Sequence, residues 1–417
     1  MATPRVRGGV GADRKQPLDE IRVSDAEHWV EGPPLDLFGR LRGECPVHWS
    51  EMGDYPEEAG LWSISKADDA REVSLDWERF SSERGGVTGL THAIPLELMQ
   101  AMFISMDPPK HDRIKALFQR GFTPKRIAVH EDAIREIACN VLDEVADRGG
   151  CDLVSDVAQP VVSRVIGSFM GIPEDEDREW AGLMNTTLGI GDRELSPGDI
   201  DHVVHEVFPE IFRRVEAMIE QRRASPTDDL TSVLVHAEID GERLADHEIV
   251  MGFFLLVAAG NDSTKATYTS GMRALLDRPD QMRMLVDDRA LIPGAVEECL
   301  RMFPAFAHFR RTATRDTEVR GQPIAEGDKV VMWYVSTNRD EDAYADPDRF
   351  DVLRNPEHQA FGAGGRHFCL GAALARLELK VLFEETLSRF PQMRLDGEPR
   401  PAVSPFINQL KTLPVRW

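Results

Sequence analysis

The sequence predicts a mainly α-helical protein with small β-sheets near its two ends. Two patterns carry this: helix-period apolar residues run from about Asp107 to Met302, and short strand-like runs precede and follow them. A third is a single helical stretch, about Asp246 to Arg278, that would reach roughly 50 Å at about 1.5 Å per residue. No internal repeat, low-complexity tract or long Pro/Gly/Ser linker marks a boundary. The expected organisation is therefore a polar N-terminal arm over residues 1–30 and a single domain over 31–417.

With 417 residues the chain can bury a large core. Its formal net charge of -23 argues against nucleic-acid or anionic-membrane partners, and any anionic cofactor would need local cations. The five cysteines (Cys45, Cys139, Cys151, Cys299 and Cys369) are scattered, with no CxxC pair, which reads as reduced and cytoplasmic. Met1 to Glu20 lacks the apolar centre of a signal peptide, and the run Ile249 to Gly260 is too short to span a bilayer. No membrane anchor is expected.

Along the chain, Val47–Glu51 and Gly60–Lys66 read as strands, and Ser82–Ile94 and Leu188–Asp201 as mobile surface loops, with a functional lid as the alternative. Asp107 is placed to cap a helix with Pro108 at its first position. On that helix His111 and Lys115 share a face, either as a solvated basic stripe or as a clamp for a buried anion. In the long helix an apolar run ends in Ala258-Ala259-Gly260-Asn261-Asp262-Ser263-Thr264-Lys265. The small residues leave room beside the helix, and Asp262 and Ser263 supply proton-transfer groups; a kink or helix end is the structural alternative. Glu298 and Arg301 lie on one face just before Pro304, and Arg349 follows in the turn-rich Pro347–Phe350. One carboxylate held by two guanidinium groups would make a rigid buried knot. After the strand-rich Arg310–Tyr334 comes the loop Phe361–Gly371, which places Cys369 at the start of a helix from Ala372, where the dipole favours a thiolate.

These motifs, in this order and spacing over nearly the whole chain from Pro46, resemble those of the cytochrome P-450 haem-thiolate monooxygenases. The resemblance implies that haem b (iron protoporphyrin IX) lies between the long central helix and the cysteine-loop helix. Cys369 would be the iron ligand, and His111, Lys115, Arg311 and His367 would bind the haem carboxylates. Glu298, Arg301 and Arg349 would form a structural triad. Asp262 would relay protons, with Ser263 directing them at the oxygen-binding side. It also implies O2 as co-substrate and electrons from a small acidic ferredoxin with its NAD(P)H-dependent reductase. Arg113, Arg120, Lys125, Arg126, Arg366 and Arg376 are candidates for docking that partner.

The chain departs from the usual pattern in three places. One residue is inserted in the cysteine loop, so Phe361 lies one position further from Cys369; Lys115 stands where arginine is usual; and Ser263 replaces the common threonine. Expected pocket segments are Thr88–Phe103, Gly182–Gly191, Leu255–Ala259, Ala305–Phe309 and Pro405–Asn408. Their apolar character favours a lipophilic substrate such as a sterol, terpenoid or fatty-acyl chain. A non-catalytic thiolate-haem sensor and a peroxide-dependent peroxygenase are the alternatives; the acid–alcohol pair Asp262-Ser263 disfavours both.

Overall fold

The strands expected near the two ends of the chain meet in one five-stranded sheet. Strand β1 (Val47–Ser50) pairs antiparallel with β2 (Leu61–Ile64), and β3 (Phe80–Ser81) pairs antiparallel with β4 (His308–Ala313). Strand β5 (Lys329–Trp333) joins these pairs, parallel to β2 and antiparallel to β4. Every residue of β5 is buried, and after Lys329 it carries the apolar run Val330–Trp333 rather than alternation. The computed structural model describes residues 16–54, 58–88, 95–190, 192–198, 200–239 and 241–417; the part of the expected loop Ser82–Ile94 beyond residue 88 lies outside them.

Six helices position the site: α1 (Lys110–Gln119), α2 (Gln159–Met170), α3 (Asp177–Leu188), α4 (Asp246–Leu276), α5 (Ile292–Met302) and α6 (Ala372–Arg389). Helix α4 runs unbroken through Gly260, so the kink or helix end weighed there is not realised. Helices α2, α3, α5 and α6 all pack against it, which is why it lacks a clean polar face. Gly252 is required for close approach, because a Cβ there would run into the Phe118 ring of α1. Among the described residues, no helix is long and apolar enough to cross a membrane.

Three expectations are corrected. Asp107 does not cap α1, which begins at Lys110; its carboxylate instead accepts the Ser82 N–H at 2.9 Å and the Ser81 hydroxyl, tying β3 to the helix entrance. The N-terminal arm ends well before residue 30: Ile21, Val23 and Trp29 are buried against Phe38 and Trp333, with the Trp29 and Trp333 rings stacked at 5.9 Å. The loop after α3 is tied down, since Lys411 bridges Asp192 and Glu194 at 2.9 and 3.0 Å and the Val403 N–H reaches Asp192 at 3.1 Å.

The buried ionic knot is present, with a different third member. Arg301 donates to Glu298 at 2.7 and 2.8 Å, both side chains are fully buried, and Arg354 Nε donates to the same carboxylate at 3.2 Å. Arg349 does not take part through its side chain, which is 66% exposed and faces Asp351 at 3.8 Å. The reason is local: the Arg349 N–H closes a turn onto the Asp346 carbonyl, leaving its side chain outside and only its own carbonyl to accept from Arg301 and Arg354. Removing one partner of a buried pair strands the other charge. Glu298→Gln is therefore expected to cost about 3–5 kcal/mol in urea unfolding. Arg349→Ala should stay within about 0.5 kcal/mol. Equal losses in the two variants would refute this assignment.

Candidate active site

A cavity lies between α4 and α6. Leu255, Ala259, Gly260, Ser263, Thr264 and Thr267 line it from α4, a spacing that puts them on one helical face. Facing them are Phe361 and Cys369–Gly371 of the glycine loop, with Leu374 and Glu378 of α6. Phe103, Ile166, Ala305, Phe306 and Phe309 close the sides. Among the described residues, Gly182–Ile190 do not line it, contrary to expectation. Phe406 stands one layer behind, its ring 5.2 Å from Phe306 and 5.9 Å from Phe309.

The loop geometry requires its glycines. Gly362, Gly364 and Gly365 have φ of 99°, 100° and 81°, and a Cβ on Gly365 would sit 2.9 Å from the Ser74 carbonyl oxygen. The Cys369 N–H donates to the Phe361 carbonyl at 3.0 Å, which closes the loop across the inserted residue. Cys369 is exposed and lines both this cavity and a more open pocket beside it. Burial in the protein pushes its thiol above the ordinary value, opposed by the Gly371 N–H, Lys115 and Arg376. A coordinating metal would hold this sulfur as the thiolate outright.

All four expected cationic residues come together along one edge of the cavity. Arg311 is buried and directs one donor to the Arg310 carbonyl at 2.7 Å. The His111 and His367 rings lie 4.2 Å apart; His367 Nε2 meets the Ser82 hydroxyl at 3.1 Å, while its buried Nδ1 has no partner. Burial lowers the pKa of each of the four. The Lys115 ammonium reaches the carbonyls of Arg366 and, at 2.8 Å, Phe368. A sulfur on one apolar wall, with buried donors along one edge, fits a flat apolar group that carries anionic arms and a central metal.

Ser263 lines the cavity and Asp262 does not. Asp262 is fully buried on the far side of α4, where one carboxylate oxygen accepts from Lys265 at 2.5 Å and Asn261 at 3.1 Å and the other has no partner. Lys265 also donates to Gln159 of α2 and Asn185 of α3, at 2.7 and 3.0 Å. The acid that does face the cavity is Glu378, raised to about 8 by burial and opposed by a Thr264 hydrogen bond. Sequence reasoning missed it, although an acid four residues from both Leu374 and Leu382 interrupts an apolar row.

Cysteine, basic side chains and cavity together make a site that a haem would fit. The sequence pattern of the cytochrome P-450 family matches residues 194–408. A methyl-branched lipid omega-hydroxylase of Mycobacterium tuberculosis is 39% identical over 412 residues, covering 96% of this chain and 95% of the relative. A steroid C26-monooxygenase of the same organism is 39% identical over 402 residues, covering 93% and 98%. A Mycobacterium marinum cytochrome P-450 solved in complex with pseudoionone superposes with a TM-score of 0.90 at 36% identity, covering 96% of this chain and 99% of that one. The chain belongs to the cytochrome P-450 family and is a haem-dependent monooxygenase.

One wall contact makes a pH prediction. His308 of β4 is fully buried and bonds the Pro405 carbonyl at 2.8 Å, holding the segment that carries Phe406. Burial pushes its imidazole down to about 4. Below the ordinary value near 6.5 the unfolded chain binds a proton that the folded chain refuses, so stability falls as pH drops from about 6.5 toward 4. Between pH 7.5 and 5 this residue alone should remove about 2 kcal/mol. His308→Gln should flatten that part of the urea-unfolding pH profile, and an unchanged slope would count against it.

Proposed function

We propose that this chain hydroxylates a lipophilic small molecule, a sterol, terpenoid or fatty-acyl-like compound, with O2 and electrons from a ferredoxin and its NAD(P)H-dependent reductase. One observation carries the reading: the cavity wall opposite Cys369 is apolar apart from hydroxyls, and the cations stand apart along one edge. The named activities of the two mycobacterial relatives point the same way.

Cys369 would ligate the haem iron, and His111, Arg311 and His367 would hold the haem carboxylates. When bound, the haem supplies the one-electron and oxygen-activating chemistry. The chain supplies the rest. Phe103, Phe306 and Phe309 present a dry surface that orients an apolar substrate and excludes water. Ser263 Oγ places a hydroxyl on the cavity wall opposite Cys369, where it would serve oxygen chemistry, and Glu378 would hold a proton at neutral pH next to Thr264. Asp262, turned away and paired with Lys265, serves the packing of α4 and leaves direct proton delivery to these cavity-facing groups.

For the electron donor, Arg113, Arg366 and Arg376 are already paired with Glu248, Asp112 and Glu297. Exposed Arg120, Lys125 and Arg126 then make the better anchor for an acidic partner.

The test is a screen of lipophilic compounds for the low- to high-spin shift of the ferric holoenzyme, followed by turnover with ferredoxin and reductase. Stoichiometric use of O2 and NADH with product is expected; turnover by peroxide alone, or no binding by any such compound, would overturn the reading. Ser263→Ala should lower product formed per NADH roughly 10-fold or more, with the missing electrons appearing as hydrogen peroxide. Unchanged coupling would remove Ser263 from the reaction.

A further inference from the structure

Helix α1 grips the cysteine loop at three points. Arg366 pairs with Asp112, the His367 ring lies against His111, and the Lys115 ammonium donates to the carbonyls of Arg366 and Phe368. Lys115 is 8% exposed and lines both the cavity and the more open pocket beside it. Among the described residues, both of its hydrogen-bond partners are loop carbonyls. The Phe368 carbonyl belongs to the peptide bond that leads into Cys369. Lys115 and Cys369 line both of these pockets together, so the ammonium stands beside the sulfur as well as bonding its loop.

We propose that Lys115 is a positioning residue of the cysteine loop, clipping two of its carbonyls and placing a fixed positive charge beside the sulfur, rather than a counter-ion for the cofactor's carboxylates. This rests on the assignment of Cys369 as iron ligand. The chemistry of the side chain supports it: an ammonium is a compact charge whose donors diverge and can serve two carbonyls two residues apart, whereas a guanidinium fork is built for carboxylate. A cation beside a metal thiolate stabilises the more negative, reduced state, so it raises the reduction potential.

The test uses holoenzymes of the wild type and of Lys115→Met, Lys115→Gln and Lys115→Arg. The readouts are the reduction potential, the rate at which the red-shifted CO complex decays to the thiol-ligated form, and the rate of haem loss. Lys115→Met should lower the potential and speed the decay several-fold. Lys115→Gln, which keeps donors but no charge, should lower the potential equally while slowing the decay relative to Met, and Lys115→Arg should restore the potential. If Met fails to fold, the Gln and Arg pair carries the comparison. Faster haem loss with potential and CO complex unchanged would overturn the proposal in favour of a counter-ion role, as would no change at all. A wild-type enzyme without the red-shifted CO complex would instead refute the ligand assignment itself.

Discussion

The geometry of the sulfur depends on an ion pair that never touches it. Burying Glu298 and Arg301 together costs several kcal/mol per ion unless every remaining donor and acceptor finds a partner. The chain between Asn338 and Arg354 supplies them: carbonyls of Asn338 and Pro347 for Arg301, and the Asp351 N–H and Arg354 guanidinium for Glu298. That demand fixes the path of the segment, and Asn338 passes the constraint on by accepting the Gln359 N–H at 2.8 Å, just ahead of the glycine loop. The knot thus acts as an anchor for the cavity floor, although it contributes no group to the chemistry.

Charge is distributed unevenly around this frame. The chain carries a formal net charge of -23, yet four basic side chains meet at one edge of the cavity, on β4, α1 and the cysteine loop. Each of these groups suffers a desolvation cost, and among the described residues neither Arg311 nor His367 has a carboxylate in hydrogen-bond contact. A site built this way is selective for a group that brings its own negative charge and its own apolar bulk.

Much of this was legible in the sequence because it depends on local chemistry. Helix α4 announced itself by length, the cysteine loop by glycines that only left-handed φ values explain, and the Glu298–Arg301 pair by a three-residue spacing. What the sequence left open depended on turns and facing. Arg349 and Arg354 both follow the same turn, and nothing in their neighbours says which side chain points inward. Asp262 and Ser263 are adjacent, so a helix necessarily sends them about 100° apart; only packing against α2 and α3 decides that the serine meets the cavity and the acid does not. The N-terminal residues looked polar on average, which hid Ile21, Val23 and Trp29 in the core.

Lys265 binds three helices with one ammonium, reaching Gln159 on α2, Asn185 on α3 and Asp262 on its own α4. In mechanical terms these helices form a plate riveted at its centre, with the cavity beneath it. Such a plate tilts poorly and bends worse. Along its hem the cavity is lined instead by Val87, Phe103, Ile104, Phe306 and Phe309, none of them on the riveted helices.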